Sequence, residues 1–600
     1  MGALAVVLSG SAPAGDEAVE RALRSAPHRG GELAVRTVGR ASLGVANEPE
    51  YADAWLAGHD GGAVVLQGAL DNKAELDAEL ARAGRPARND GPAETVLAAF
   101  DAWGDEAPAH LRGVFAGAWT DGASLRLFRD HLGLASLHHR ASGETFVAAT
   151  EAKQVVAGAG VPREPDVESV EAMFFGRFDS RNTMLRGVGR FPRASTGAVE
   201  PGGEPAFRRY WDPAPLLETA RLTLPEAQEQ LAAMVEQAVR RSVTGLDTVS
   251  LSGGIDSPTI AAFAAPRHLE LTGRPLPALS SVYPDLPAVD ESRWIELVVE
   301  HLGLELHTYR PSSRPLDDLA QWVDVLDGPV DTMSIPELAE NYRLARELGA
   351  RNVLSGEMAE WVFTFGQHLI GHYVLHGRVG ATISWLRDQR ARGASWRRIA
   401  RRAGPSLVSP RAGLAWLRLR GRAQAFRHLP DWVDADTAGG PAERPDFVRP
   451  ARRRWLEHQL DPLVGVGSYS FDADAVCAAY HGVQVRRPLA DVDLWEFVLT
   501  LPAEIKFPNA LPKSLLRESV RGRLPDAILD RQDKTFFDDF ALRTADYEGL
   551  RRWILETDVQ LTGVDYARVG QRIEARDMKV VELLWAYDLA RAHAFLDLWA

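Results

Sequence analysis

The sequence predicts an α/β protein in which a domain of short strands and helices precedes a second domain with a parallel sheet. From residue 248 onward, predicted strands alternate with helices, as in βα units that place helices on both faces of a sheet. A turn rich in serine and glycine, residues 252–257, joins one of these strands to a helix. The 600 residues are too many for one hydrophobic core, which favours two or three domains.

Composition excludes several other classes of protein. A formal net charge of −14 argues against a general nucleic-acid-binding protein. Cys477 is the single cysteine, so an intramolecular disulfide and a cysteine-built zinc site are excluded and a reducing cytoplasm is predicted. Residues 2–15 lack the basic region of a secretory signal and are better explained as a first core strand. No stretch reaches the ~18 apolar residues of a membrane-spanning helix, so no membrane insertion is expected.

The turn after the predicted strand 248–251 has the composition of a phosphate-binding loop. Its glycines let backbone amides approach an anion, and the following helix N-terminus adds partial positive charge. No Walker lysine follows, and Asp256 would repel phosphate unless Mg²⁺ lay between them. We therefore expect ATP, with a metal-bound pyrophosphate as the leaving group. The predicted nucleotide-binding residues of this turn are Leu251, Ser252, Gly253, Gly254, Asp256 and Ser257.

Other strand ends are expected to meet this loop. Strands are predicted at 278–283, 305–309 and 352–354, with a helix at 291–302. Ligands bind beyond the carboxyl ends of parallel strands, so one cleft should contain the loop and the residues at these ends. The residues predicted to join the nucleotide site in this way are Val282, Ser355 and Gly356. Upstream, residues 202–215 are predicted as a linker and 224–243 as an amphipathic helix.

The first domain is predicted to contain strands at 63–66, 114–119 and 125–128 and a helix at 93–103. Three of its segments resemble, in order and spacing, the glutaminase-type N-terminal nucleophile (Ntn) domain of asparagine synthetases. They are Leu-Arg-Gly-Val-Phe-Ala at 111–116, Arg-Asp-His-Leu-Gly at 129–133 and Phe-Val-Ala-Ala-Thr-Glu-Ala-Lys at 146–153. The resemblance implies an Ntn-type αββα sandwich over residues 1–210.

Residues that carry the chemistry of that domain are missing. Glutamine-hydrolysing members of the family have a cysteine directly after the initiator methionine, and this chain has Gly2. Glycine offers no thiolate to form the thioester that ammonia release requires. The family's amide-binding Asn-Gly appears as Gln67-Gly68, and its substrate-holding aspartate falls near Ala93. We therefore expect a degenerate domain without glutaminase activity.

The segment Leu-Ser-Gly-Glu-Met-Ala-Glu at 354–360 resembles the second motif of the same family, S-G-E-G-x-D-E. Glu360 stands where the family has its Mg²⁺-binding aspartate, and Trp361 replaces the glutamate after it. A glutamate can still supply an oxygen ligand, so Asp256 and Glu360 are the predicted metal pair. Glu357 is the predicted catalytic residue that orients the substrate amine or accepts its proton, with a purely structural hydrogen bond as the alternative. Met358 and Trp361 either line an apolar substrate pocket or pack in the core.

A third motif lies near the end of the chain, in Lys-Ser-Leu-Leu-Arg-Glu at 513–518 and Arg-Gln-Asp-Lys-Thr-Phe-Phe at 531–537. The resemblance assigns the catalytic lysine to Lys534, whose ammonium would stabilise negative charge on reacting oxygens. A surface lysine in a charged loop is the alternative. Arg486, Pro488 and Asp491 match the segment between the motifs and are expected to hold the cleft together.

The resemblance covers nearly the whole chain. It implies a Rossmann-like parallel-sheet ATP-pyrophosphatase domain with extra helices over residues 224–600, which adenylates a carboxylate, releases pyrophosphate and AMP, and forms an amide. Because no glutaminase would supply ammonia, the amine should belong to a substrate. Two branches of the family fit this description: β-lactam synthetases, which act on a small molecule, and lasso peptide cyclases, which join the N-terminal amine of a peptide to an Asp or Glu side chain.

A long segment, residues 367–463, favours the peptide. It combines aromatic and basic side chains that suit a peptide or protein partner, although a helical elaboration with a solvated basic face is the alternative. These side chains are Trp385, Trp396, Trp416, Arg387, Arg390, Arg397, Arg398, Arg401, Arg402, Arg418 and Arg420. The leading hypothesis is a lasso peptide cyclase that forms a macrolactam in a ribosomal precursor peptide and works with a leader-binding protein and a leader peptidase. A β-lactam synthetase-like ligase and a non-catalytic nucleotide- or peptide-binding scaffold remain the alternatives.

Overall fold

The structure is a computed structural model. It describes residues 1–10, 15–59, 61–200, 203–312, 314–329, 335–364, 369–407, 429–434, 437–438, 466–509, 511–532 and 538–599.

The N-terminal domain consists of two facing sheets of six strands each. Its strands are β1 Ala3–Ser9, β2 Glu32–Val38, β3 Ala41–Asn47, β4 Ala54–His59, β5 Gly62–Leu70, β6 Gly113–Thr120, β7 Leu125–Arg129, β8 His138–Ser142, β9 Thr145–Ala149, β10 Gly189–Arg190, β11 Ser195–Val199 and β12 Ala206–Arg209. The strand orders are β10-β8-β9-β1-β3-β2 and β12-β11-β7-β6-β5-β4. Leu4, Leu43, Val65 and Leu127 are among the buried side chains that fill the space between the sheets.

Helices cover both outer faces of this sandwich. Asp16–Arg24 and Ala152–Ala159 pack on the first sheet, whereas Pro92–Trp103 packs on β4 and β5 of the second. Other helices of the domain are Lys73–Arg82, Ala107–His110 and Val167–Phe174. The αββα arrangement implied by the sequence resemblance is therefore confirmed.

The linker predicted at 202–215 is wrong for part of its length. Ala206–Arg209 forms β12, which pairs antiparallel with β11 at the edge of the second sheet. All four of its residues are exposed, so the strand has no alternating buried face by which its sequence could have been recognised.

The C-terminal domain is built on a five-stranded sheet in which every pair is parallel. Its strands are β13 Asp247–Ser250, β14 Pro277–Ser281, β15 Glu305–Tyr309, β16 Asn352–Leu354 and β17 Gln484–Arg486, in the order β15-β14-β13-β16-β17. Strands β14 and β15 lie on one side of β13, and strands β16 and β17 lie on its other side. The sheet order therefore switches direction between β13 and β16, which is where ligands bind in such sheets.

The helices of this domain agree with the predicted βα alternation. Ser292–Leu302 occupies the helical segment predicted at 291–302, and Val580–Leu596 is a long helix near the end of the chain. The other helices are Leu224–Ser242, Asp256–Thr272, Leu319–Val325, Ile335–Glu347, Ala359–Val362, Leu369–Leu375, Val379–Ala391, Trp396–Leu407, Val466–Tyr480, Val492–Thr500, Ala503–Lys506, Ser514–Ser519, Asp526–Leu529, Asp538–Arg543, Tyr547–Leu555 and Tyr566–Ala575. Among the described residues, no helix combines the length and apolar character needed to cross a membrane.

The described part of the long segment forms three helices between residues 369 and 407. Leu369, Tyr373 and Trp385 pack with Phe507 of the sheet domain in a small separate core. Trp396 is instead 60% exposed, and Arg390 lies over its ring at 5.4 Å. Trp385 therefore belongs to the core, whereas Trp396 is available on the surface. The predicted surface residues Trp416, Arg418 and Arg420 lie outside the described residues.

Helix Val466–Tyr480 lies between the two domains. Arg129 and Arg190 of the N-terminal domain donate to the Asp472 carboxylate at 3.1 and 2.6 Å. Asp474, two residues further along, accepts hydrogen bonds from the sheet domain instead. Because residues two apart point to opposite sides of a helix, one helix contacts both domains with neighbouring carboxylates.

Candidate active site

A cleft opens at the carboxyl ends of β13 and β16. It contains two adjoining cavities, of about 460 and about 430 Å³, and Ser252, Asp256 and Glu360 line both of them. Leu251 and Gly254 line the first cavity, and Ser257, Ser355, Gly356 and Glu357 line the second. The structure thus brings two predicted motifs, separated by about a hundred residues of sequence, to the edge of the sheet at which parallel strands place their ligands.

The phosphate loop is held by side chains that come from outside it. The Gly253 amide donates to Glu291 Oε2 at 3.0 Å, and Arg531 donates to the Gly253 carbonyl at 2.6 Å. Arg531 and Glu291 also form an ion pair at 3.0 Å. Within the loop, the Ser252 amide donates to Ser257 Oγ at 2.9 Å. The amides of Ser252 and Gly253 therefore already have hydrogen-bond acceptors within the protein. The ion pair formed by Glu291 and Arg531 fixes the shape of the loop.

Two glycines permit the close packing of the site. A Cβ at Gly356 would lie 2.4 Å from the Ser257 amide nitrogen, because the second motif packs directly on the start of helix Asp256–Thr272. A Cβ at Gly253 would lie 2.8 Å from Trp294 Cβ. Both distances are too short for a side chain. These two positions therefore require glycine, because neighbouring atoms lie so close to the backbone.

The predicted metal pair lies on either side of a lysine. Lys513 forms an ion pair with Asp256, and its Nζ lies 3.8 Å from Glu360 Oε1. Burial raises the pKa of Asp256; Lys513 opposes this shift and Glu360 adds to it. Asp256 Oδ1 is buried and has no hydrogen-bond partner among the described residues. Lys513 was not among the predicted site residues, although its motif was recognised.

These carboxylates fit a magnesium ion. Mg²⁺ is commonly bound by one or two carboxylates together with phosphate oxygens and water. The described residues contain no group of three or more His, Cys, Asp or Glu placed to hold a metal. Asp256 would offer its unpartnered oxygen, and Glu360 would face it across Lys513.

The second cavity has an apolar wall. Trp361 contacts Phe471 edge to face with ring centroids 5.1 Å apart, and Met358 is 3% exposed. Both Met358 and Trp361 line the cavity, as the pocket interpretation of the sequence predicts. Glu357 is half exposed at the same cavity and accepts a hydrogen bond from Arg487 Nε at 2.6 Å. The cavity thus combines a carboxylate with aromatic and aliphatic surface.

One predicted site residue, Val282, does not line either cavity, and another, Lys534, cannot be compared. The Val282 amide donates to the Tyr309 carbonyl at 2.9 Å, and its neighbours Ser281 and Tyr283 line the first cavity instead. Lys534 lies outside the described residues, while Arg531 and Gln532 line the first cavity.

The N-terminal domain contributes to a much smaller cavity, of about 40 Å³, which Gln67 and Gly68 line. Such a volume holds on the order of one to a few water molecules. Asp53 is 2% exposed and accepts a hydrogen bond from the Gly2 amide. Ala93 lies buried in helix Pro92–Trp103 on the outer face of the second sheet.

The comparisons with known proteins match both domains. Residues 228–599 match the asparagine synthase family, and residues 36–211 match the glutamine amidotransferase domain. The chain is 26% identical over 504 residues to asparagine synthetase (glutamine-hydrolyzing) 3 of Bacillus subtilis (strain 168), covering 79% of this chain and 75% of that protein. It is also 26% identical over 503 residues to a putative asparagine synthetase (glutamine-hydrolyzing) of Mycobacterium bovis, covering 78% and 73%.

Similarity to solved structures is weaker. The allosteric regulatory enzyme of purine biosynthesis matches with a TM-score of 0.27 and 14% identity, over 53% of this chain and 81% of that one. Glutamine phosphoribosylpyrophosphate amidotransferase from B. subtilis gives the same score and identity over 59% and 81%. The fold assignment therefore rests on the sheets and the family matches.

Fold and site together define an α/β ligase that uses ATP to form an amide, with an amidotransferase-like N-terminal domain. The chain belongs to the asparagine synthase family.

Proposed function

We propose that this protein is a lasso peptide cyclase, which closes a macrolactam between the N-terminal amine of a ribosomal peptide and an Asp or Glu side chain. The observation that carries the proposal is the difference in volume between the cavities at the ligase domain and the cavity at the N-terminal domain. The cleft of the ligase domain offers two large adjoining cavities, whereas the cavity lined by Met1, Gln67 and Gly68 is about 40 Å³. This contrast supports an amine that enters as part of a substrate.

In the proposed first step, a carboxylate oxygen of the peptide attacks the α-phosphorus of ATP and pyrophosphate leaves. The first cavity would hold the nucleotide against the loop that Glu291 and Arg531 support. Asp256 and Glu360 would hold Mg²⁺, which neutralises the pyrophosphate charge when bound. Lys534 is proposed to stabilise the charge that builds on the reacting oxygens.

In the second step, the amine nitrogen attacks the acyl carbon, the bond from that carbon to the adenylate oxygen breaks, and AMP leaves. The nitrogen then gives a proton to Glu357. An α-amine has a reference pKa of ~7.7–8.0, so an appreciable neutral fraction exists at pH 7 and a weak base is sufficient. The position of Glu357 at the second cavity supports this assignment.

The helices between 369 and 407 support a peptide rather than a small substrate. Trp396 is exposed, and the exposed arginines Arg387, Arg397, Arg398 and Arg401 surround it in sequence. Tryptophan and arginine are favoured anchors in peptide interfaces. We propose that this surface holds the precursor or a protein of the same pathway, such as a leader-binding protein or a leader peptidase.

The test is ATP–pyrophosphate exchange with a panel of leader-free linear peptides and small amino acids, followed by mass spectrometry. A peptide substrate should stimulate exchange and lose one water in the presence of ATP and Mg²⁺. AMP production without any macrolactam across the peptide panel would refute the proposal.

The alternatives give different results in the same assay. A β-lactam synthetase-like ligase would exchange with free N-substituted amino acids and not with peptides. A non-catalytic scaffold would bind nucleotide or peptide without exchange on any compound. The observations that favour it are Trp361 in the second motif and Gln67-Gly68 in place of the family's Asn-Gly.

A further inference from the structure

The register of two strands brings Arg487 to the catalytic edge of the sheet. Strands β16 and β17 pair in parallel with Leu354 opposite Arg486, and the Ser355 amide donates to the Arg486 carbonyl at 2.9 Å. The residues that follow each strand therefore leave the sheet side by side. This is why Glu357 and Arg487, 130 residues apart, come into contact at the second cavity.

Arg487 joins an exposed carboxylate to a buried one. Its Nε donates to Glu357 Oε2 at 2.6 Å, and its guanidinium also donates to Asp474. Asp474 in turn accepts a hydrogen bond from the Tyr342 hydroxyl at 2.5 Å. Side-chain exposure rises from 5% for Arg487 and 9% for Asp474 to 51% for Glu357. The chain of contacts thus starts in the core and ends in the cleft.

The guanidinium is also held by an aromatic ring. Arg487 lies over the ring of Phe471 at 5.4 Å, and Phe471 packs edge to face against Trp361. Phe471 and Asp474 lie one helical turn apart on Val466–Tyr480, so both contacts come from one face of that helix. A guanidinium held on its face by a ring and at two nitrogens by carboxylates has little freedom to rotate.

Electrostatics keep the Arg487 guanidinium charged. Burial by itself lowers the pKa of Arg487. Glu357 and Asp474 raise the pKa by more than burial lowers it, so the net shift is upward. Burial raises the pKa of Asp474, and Arg487 opposes that shift. A buried guanidinium is tolerated only when it is paired and hydrogen bonded, so Arg487 and its two carboxylates depend on one another.

The contact leaves one oxygen of Glu357 for the reaction. Arg487 binds Oε2, and the described residues provide no hydrogen bond to Oε1. We propose that Arg487 is a positioning residue for amide formation: it fixes the Glu357 carboxylate so that Oε1 faces the attacking amine, and Asp474 with Tyr342 fixes Arg487. This inference rests on the proposed function, in which Glu357 accepts the amine proton.

The experiment compares the two half-reactions in Arg487→Lys. Lysine keeps the charge but cannot bind both carboxylates with a rigid fork. Amide formation should fall ~10- to 100-fold while ATP–pyrophosphate exchange stays within about twofold of wild type, because only the second step uses Glu357. In Glu357→Gln, adding Arg487→Lys should cause no further loss of amide formation.

A graded pair of variants separates positioning from a structural effect. Arg487→Gln loses both the guanidinium fork and its charge, so amide formation should fall further than in Arg487→Lys while ATP–pyrophosphate exchange is retained. Arg487→Lys, which keeps the charge, should restore part of the amide-forming rate. A residue that only supports the fold would lower both half-reactions equally in both variants.

Arg190→Lys is the matched control. Arg190 is a buried arginine of the N-terminal domain, and it pairs at 2.6 Å with Asp472, which lies on the same helix as Asp474. It should lower thermal stability without changing the ratio of the two half-reactions. Equal loss of exchange and amide formation in Arg487→Lys, or additive losses with Glu357→Gln, would overturn the proposal. If wild type forms an amide only from a small amino acid, the peptide assignment fails, and Arg487 is judged by the same ratio on that substrate.

Discussion

Two aspartates, one in each domain, show how differently the two domains use the same side chain. Burial raises the pKa of both Asp53 and Asp256, and each has one buried oxygen without a hydrogen-bond partner among the described residues. Asp53 is 2% exposed and its other oxygen receives the Gly2 amide. Asp256 lines both large cavities and its other oxygen receives Lys513.

The difference concerns access rather than residue type. The backbone of Gly2 closes in the Asp53 carboxylate, since a Cβ at Gly2 would lie 2.7 Å from Asp53 Oδ1. Asp256 instead begins a helix at the edge of a parallel sheet, where the strands stop and leave room for a ligand. An acid with an unpartnered oxygen is a binding site only where a ligand can reach it. Three experiments test this contrast.

The largest effect is expected from Asp256→Asn. An amide binds Mg²⁺ less well than a carboxylate, so ATP–pyrophosphate exchange should fall on the order of 10²- to 10³-fold. Glu270→Gln, on the exposed far end of the same helix, should leave exchange unchanged. Full Mg²⁺-dependent exchange in Asp256→Asn would show that the metal pair is wrongly assigned.

A smaller effect is expected on the stability of the N-terminal domain, which should fall as the pH is lowered. Burial lowers the pKa of His131 from 6.5 to about 3. The unfolded chain therefore binds this proton first, and the stability that neutral His131 provides is complete above pH 6.5 and is lost as the pH falls toward 3. Between pH 6.5 and 4 the loss should be on the order of 2–3 kcal/mol.

Urea unfolding at several pH values measures this loss. His131 packs against the rings of Tyr210 and Trp211, so His131→Phe keeps an aromatic ring there and removes the titration. The variant should show a shallower dependence of stability on pH, whereas substitution of the exposed His301 should not. Identical slopes for wild type and His131→Phe would contradict the assignment.

The smallest effect is expected from Gly2→Cys, which restores the residue type of the family's nucleophile. Its Cβ would lie 2.6 Å from Asn47 Oδ1 and 2.7 Å from Ala54 Cβ, so the domain should lose ~1–3 kcal/mol through overpacking. We expect no release of glutamate from glutamine. Gly31→Ala, whose Cβ would meet nothing within 4 Å, is the control for stability. Glutamine hydrolysis by Gly2→Cys would show that the nucleophile alone had been missing.

Much of the site could be predicted from local sequence. The loop at 252–257 and the Ser-Gly-Glu motif at 355–357 each follow a short apolar strand, and strands that run parallel end at one edge. The strand order alone was therefore sufficient to predict that the two motifs meet in one cleft. The glycine at 356 was predicted as a binding residue, and the structure adds that its lack of a Cβ lets the two loops touch.

The side chains that support the site could not be predicted in this way. Glu291, Lys513 and Arg487 reach the cleft from segments with no strand-end signature of their own. Strand β17 was not predicted because, of its three residues, only Val485 is apolar. Similarly, β12 has no buried face that would distinguish it from a linker.

The sequence by itself determined the fold class, the family resemblance, the phosphate loop and the loss of the nucleophile at Gly2, because each depends on residue type and order along a short stretch. Only the tertiary structure decided that Lys513 bridges Asp256 and Glu360, and that Arg487, from the adjacent strand end, holds Glu357. Those contacts join residues more than a hundred positions apart, and their geometry depends on how parallel strands and the helix Val466–Tyr480 pack around them.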